Sequence, residues 1–185
     1  MKNDVKVIDS KVLNLWKIES IIAEIILIAI AILIPVLLHN VFNIHTMQII
    51  LPMHWTIILA GLVYGWKGGF IAGATTPTLS FFMTGTPLLP VLPLMSIELA
   101  LYGLVTGFCR EKLKLNAFLS VFIALIVGRA GYLAAAVALS KLGDKSLVDF
   151  AIAALSPGLI SAGIQIVALP LISMGYINLF GKNSK

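Results

Sequence analysis

Three side chains set in apolar runs have the types that could do chemistry: Glu98 in MSIELALYGL, Arg129 in LIVGRAGYLAAA and Gln165 in GLISAGIQIV. An acid, a guanidinium and an amide make a recognition set, with an acceptor, a planar fork of donors and a group that does both. Each has a hydroxyl about one helical turn away along the chain: Tyr102 four residues after Glu98, Tyr132 three after Arg129, and Ser161 four before Gln165. His54, in LPMHW, is a fourth polar candidate in an apolar setting. Covalent chemistry has no comparable constellation. The HExxH, GxSxG and GxxxxGK[ST] patterns are missing, no two intramembrane aspartates pair, and Ser161 lacks the glycine two residues earlier that a nucleophile elbow needs. Cys109 is the only cysteine, with neither a disulfide partner nor metal-ligand spacing, and reads as lipid-facing or packed. The expectation is a binding protein and not an enzyme, with no metal and no cofactor of its own. Active transport would need ATPases on other chains.

The elements that must position these residues are set by composition. Of 185 residues 59% are hydrophobic and 11% charged, against roughly a quarter charged in soluble domains. Such a chain is an all-α integral membrane protein. A span needs about 20 mostly apolar residues, and six segments qualify or nearly so: 18–38, 49–65, 68–83, 91–109, 116–139 and 157–177. The second and third are short and almost fused at Gly65-Trp66-Lys67-Gly68-Gly69, so a re-entrant pair is the alternative there. The chain divides into a basic amphipathic segment at 1–17, a six-helix bundle at 18–179 and a cytoplasmic tail at 180–185, all one membrane domain. The N-terminal segment, with Lys2, Lys6, Lys11 and Lys17, suits an anionic leaflet.

Basic residues fix the orientation. With the N-terminus cytoplasmic, that side receives the four tail lysines, Lys67, Arg110, Lys112, Lys114, Lys182 and Lys185, whereas the outer side receives only Lys141 and Lys145, offset by Asp144 and Asp149. Both termini are then cytoplasmic. The net charge of +5 follows topology and forms no aromatic-interleaved stripe for nucleic acid.

Counting helical rise from the outer boundary puts Glu98 roughly 10 Å deep, Gln165 roughly 12 Å and Arg129 roughly 15 Å. Polar groups at one depth on three helices define a shared cavity for a small polar metabolite, because a mid-membrane charge faces protein interior or water. The plainer reading is a structural Glu98–Arg129 pair and a Gln165 interhelical bond. His54 is either a satisfied interfacial residue or a ligand contact, and Glu24 snorkels or packs. Met95, Phe81 and Phe82 read as packing, though a vitamin-like ring would also use them. Two outer connections are candidate lids: Thr84-Gly85-Thr86-Pro87-Leu88-Leu89-Pro90, and 38–48 with His39, Asn40, Asn43 and His45.

The stretches LPMHWTIILAGLVYGWKGGFIAGATTPTLSFFMTGTPLLP, MSIELALYGLVTGF, VGRAGY and SPGLISAGIQIVALPLI, in that order, resemble the substrate-binding S components of energy-coupling-factor (ECF) transporters. The resemblance covers about 51–172. It implies a multi-pass subunit of a bacterial plasma membrane that captures a vitamin or related micronutrient and docks on a transmembrane coupling (T) subunit driven by two cytoplasmic ATPases. It also implies a site in the outer halves of the last three spans, where Glu98, Tyr102, Arg129, Tyr132, Ser161 and Gln165 fall, with His54 joining from the second span and Thr84, Thr86 and Pro87 as a lid. S components commonly dock through an AxxxA motif on the first span; here Ala23, Ala29 and Ala31 stand in its place without that spacing. Arg129 favours an anionic vitamin such as pantothenate, unless Glu98 neutralises it and leaves a neutral site. The competing functions are a stand-alone secondary transporter or channel, and a structural membrane partner.

Overall fold

A computed structural model describes residues 12–39, 51–144 and 146–180. Every long element among them is helical: α1 (Ile18–His39), α2 (Pro52–Thr84), α3 (Leu92–Glu111), α4 (Ala117–Ala138), a short α5 (Leu147–Leu155), one 3-10 turn (Ser156–Gly158) and α6 (Leu159–Phe180). Five helical stretches are long and apolar enough to cross a membrane: α1, α2, α3, α4 and the run from Leu147 to Phe180. The chain is therefore an all-helical protein of membrane-spanning type.

Segments two and three of the sequence appear as one helix, α2, with a corner at Gly65 in place of a loop. Gly65 has φ 77° and ψ −168°, a region that only glycine occupies without strain. The chain folds back there. A Cβ placed on Gly69 would lie 2.8 Å from Gly61 Cα, whereas eight residues of straight helix would hold the two about 12 Å apart. The first arm, about 13 residues, and the second, about 19, thus lie side by side.

Glycines also explain how closely the second arm meets α3. Gly65, Gly69 and Gly73 recur every four residues, and so do Gly103 and Gly107. A Cβ on Gly69 would strike the main chain of Gly103, one on Gly73 the Leu99 carbonyl, and one on Gly107 the Gly65–Trp66 peptide. Small residues at this spacing let helix backbones touch, which is the main source of attraction where lipid removes the hydrophobic difference. Gly61 brings the first arm to the same place, with its Cβ position 2.7 Å from the Gly103 carbonyl. α3 is consequently clasped by both arms, and α4 covers another side. α1 and α6 pack on α2, and their Ile, Leu and Val side chains cover the outside.

Local chemistry sets the ends. The corner leaves the second arm with a fresh N-terminus, where free N–H groups favour a negative charge. Trp66 N–H reaches Glu111 Oε2 at 3.4 Å, and the buried Glu24 carboxylate stands over Gly68. Glu24 is thus a packed group. The Asn116 side chain accepts from Leu119 N–H to start α4, and Ser146 accepts from Asp149 N–H to start α5. That short helix lies in the expected outer connection and has no buried residue.

Several expectations change in detail. Residues 12–17 are not helical; Leu13 N–H instead bonds to Val63 O at 2.7 Å, tying this segment to the corner. Arg110 is fully buried, with Nη1 3.4 Å from Leu115 O, and is not a free cytoplasmic charge. Cys109 is packed. Ala31 is wholly inside the core, whereas Ala29 is exposed and Ala23 half-buried. Positions 29 and 31 lie on opposite sides of a helix, so Ala31 cannot share an outward face with Ala29. Lys2, Lys6, Lys11, Asn40, Asn43, His45, Lys145, Lys182 and Lys185 lie outside the described residues.

Candidate functional site

Four helices bring the polar residues together at the end of the bundle away from Gly65. α3 supplies Glu98 and Tyr102, α4 supplies Arg129, the first arm of α2 supplies His54 and Trp55, and the first turns of α6 supply Ser161 and Gln165.

Glu98 is the hub, 3% exposed. Its Oε1 lies 3.0 Å from Arg129 Nη1 and accepts from the Tyr102 hydroxyl at 2.8 Å. The other oxygen, Oε2, stands 3.7 Å from His54 Nε2, beyond hydrogen-bonding reach. The His54 and Tyr102 rings pack at 5.3 Å. Sequence spacing makes this possible: Tyr102 is one turn below Glu98 on α3, and Gly128 clears the space that the Tyr102 ring fills. A Cβ at 128 would overlap that ring, so the glycine before Arg129 serves the tyrosine. On the far side Gly158 does the same for the Arg129 guanidinium, which occupies the space a side chain there would need. Leu51 crowds the same spot from a left-handed backbone, φ 48°, a strained conformation for a leucine next to a site.

A second set joins the first arm to α6. Ser161 Oγ accepts from Trp55 Nε1 at 3.1 Å and from Gln165 Nε2 at 2.9 Å. Gln165 is 1% exposed and its Oε1 has no partner among the described residues; nor has His54 Nδ1. Because Trp55 follows His54 directly, the two sets share one turn of α2.

Of the expected site residues, Glu98, Tyr102 and Arg129 form one bonded group with His54 beside it, and Ser161 and Gln165 form the other. Tyr132 does not bond to either. Its ring stacks on Phe150 of α5, centroids 6.3 Å apart and 18° from parallel, in a separate cluster with Leu94, Ala135, Ala136 and Leu142. Thr84 and Thr86 bond to each other through their hydroxyls at 2.8 Å, beside the cis Thr86–Pro87 bond. Trp55, Gly128, Gly158 and Leu51 were not anticipated. Only Trp55 carried a usable sign, an indole N–H that needs a partner when buried.

Among the described residues no group of three or more His, Cys, Asp or Glu side chains is placed to hold a metal ion. A cleft of about 530 Å³ opens elsewhere, beside the Gly65 corner, lined by Lys17, Ser20, Ile26, Tyr64, Tyr176 and Phe180. None of the residues of the two polar sets borders it.

Opposed charges and an amide brought together between helices of membrane-spanning type suit a polar solute. Residues 21–180 match the sequence model of the family described as ECF transporter, substrate-specific component. The chain belongs to this family. Neither the curated proteins nor the solved structures gave a match. As an S component it is the substrate-binding membrane subunit of an ECF transporter, a class that binds its cargo without enzymatic chemistry. Membership implies a small-molecule substrate and work alongside T and ATPase subunits.

Proposed function

We propose that this S component captures a vitamin-sized polar micronutrient at the outer side of a bacterial plasma membrane, and hands it to a T subunit powered by two ATPases. The observation that supports this most is the pair of bonded sets, Glu98–Arg129–Tyr102 and Trp55–Ser161–Gln165, meeting across four helices at one end of the bundle. Buried charge is costly in a bilayer and is therefore rare outside functional sites. Tyr132 and its Phe150 neighbour would roof the site, with the Thr84–Pro87 turn as a lid. Docking would use the α1 face that carries Ala29, with Ala23 at its margin. Both arms of α2 would cross the membrane, giving six spans with both termini cytoplasmic.

Arg129 favours an anionic vitamin such as pantothenate unless Glu98 neutralises it. At 3.0 Å from Glu98 the guanidinium is already balanced within the protein, so capture of an anion no longer follows from its charge.

Two measurements test the proposal. Arg129→Lys, which keeps the charge but loses the planar fork, is expected to insert normally and to weaken substrate binding by about 2 kcal/mol, the scale of a charge-assisted hydrogen bond. Unchanged affinity would make the arginine purely structural. Uptake of the bound micronutrient should stop when the partner ATPases are deleted; undiminished uptake by this subunit alone would point to a stand-alone transporter. Orientation is checked separately. A cysteine placed beside Lys141 should react with an impermeant thiol reagent in intact cells, and labelling beside Lys112 instead would reverse the topology.

A further inference from the structure

We infer that the site takes an uncharged ligand, a small ring or amide presenting an N–H or O–H donor to Gln165 Oε1, and that Glu98 is a positioning residue whose charge sets this preference. This rests on the substrate-binding function proposed above and narrows it.

Charge balance comes first. Glu98 and Arg129 carry opposite formal charges 3.0 Å apart, and they cancel. A ligand carboxylate would add a third charge to a desolvated setting in which Arg129, the permanent cation, is already paired, and only a protonated His54, 3.7 Å from Glu98, could balance it. Burying an uncompensated charge is far more costly than burying a hydrogen-bonded neutral group. Glu98 is also occupied. One oxygen serves Arg129 and Tyr102, and the residue is 3% exposed, so it holds the guanidinium and the phenol in place and offers little to a ligand.

The unfilled capacity lies on the other set. Gln165 Nε2 is spent on Ser161, leaving Oε1 buried without a donor. A buried acceptor gains most from a ligand that brings its own donor, and a site built to make that bond discriminates strongly against an analogue lacking it. His54 Nδ1, also buried without a partner, adds a second polar atom on the neighbouring helix. Between them Trp55, its N–H already committed to Ser161, contributes half-buried aromatic surface. An amide, or a heterocycle with a ring N–H, brings a donor to Gln165 Oε1; an ionised carboxylate is acceptor-only and brings none.

Matched pairs provide the test. The full-length protein in nanodiscs is titrated calorimetrically with nicotinamide and nicotinate, panthenol and pantothenate, and biotinamide and biotin. The neutral member of at least one pair is expected to bind tenfold or more tighter than its acid. Gln165→Leu should reduce that binding at least tenfold. Glu98→Gln, which frees the charge of Arg129, should narrow or reverse the preference, an effect that a merely structural role would not produce. Should that variant fail to fold, the wild-type ratios and Gln165→Leu decide. An acid that binds as tightly as its neutral partner overturns the inference while leaving the substrate-binding function intact. A panel without any binder overturns it too, as does a ratio unmoved by Glu98→Gln.

Discussion

Gly103→Ala is expected to destabilise the protein by at least about 3 kcal/mol, the upper end of the range for overpacking. The obstacle explains the size. The added Cβ would strike the Gly69 main chain, and neither backbone can rotate away as a side chain could. Gly61 of the other arm comes close to the Gly103 carbonyl, so α3 cannot relieve the clash by shifting toward the first arm. Gly163→Ala and Gly175→Ala provide the controls. Nothing lies within 4 Å of either new methyl, and alanine is the better helix former by up to about 1 kcal/mol. Both should therefore match or exceed the wild type. Thermal unfolding in detergent, followed by helical circular dichroism, compares the three; a Gly103→Ala protein that melts alongside the controls would mean the helices do not meet at this point.

The second large effect concerns the Glu98–Arg129 pair. Removing either member alone, by Glu98→Leu or Arg129→Leu, leaves its partner charged in an apolar setting and should cost about 3 kcal/mol. This is the low end for a buried pair, since the Arg129 side chain keeps 21% exposure. The double variant should recover most of the loss, with a coupling of about 2 kcal/mol or more in the cycle. Tyr102→Phe, which removes one bond to the same carboxylate, should cost only about 1 kcal/mol. Single losses that simply add would show that the two charges do not sense each other.

How much of this was legible beforehand depends on what kind of regularity each feature uses. Helical rise per residue is fixed, so counting along the spans brings Glu98 and Arg129 to similar levels, and the two side chains meet at 3.0 Å. Rotation about the helix axis is less secure over many residues. Tyr132 shares the Arg129 helix at i+3, yet its ring turns to Phe150, and Gln165 bonds to Ser161, which also accepts from Trp55, and not to the ion pair. Trp55 drew no reading of its own, because its hydrogen-bond partner is 106 residues away. Gly158 and Gly128 have no side chain to announce a role, and only the position of a neighbouring guanidinium or phenol gives them one. The run from Gly65 to Gly69 marked a boundary correctly. Spacing along one strand of sequence does not say whether the helices on either side stack or diverge, and that required the contact between Gly61 and Gly69. The Ser146–Asp149 spacing that starts α5 was present as a capping signal, hidden within a connection read only for its charge.

The Gly65 corner also has a mechanical meaning. His54 and Trp55 sit about 16 Å along the first arm from the single residue that joins it to the second, so a tilt of roughly 5° about that pivot would swing them by about 1.4 Å. A longer linker would absorb such a tilt in its own torsions, whereas a one-residue joint passes it on. The second arm meets α3 closely at Gly69 and Gly73 and the first at Gly61, four residues from the corner, so the part of the first arm beyond Gly61 is the lever and the clasped glycines its fulcrum. A push at the corner, where Leu13 is tethered to Val63, would arrive at the far end as a displacement of His54 and Trp55.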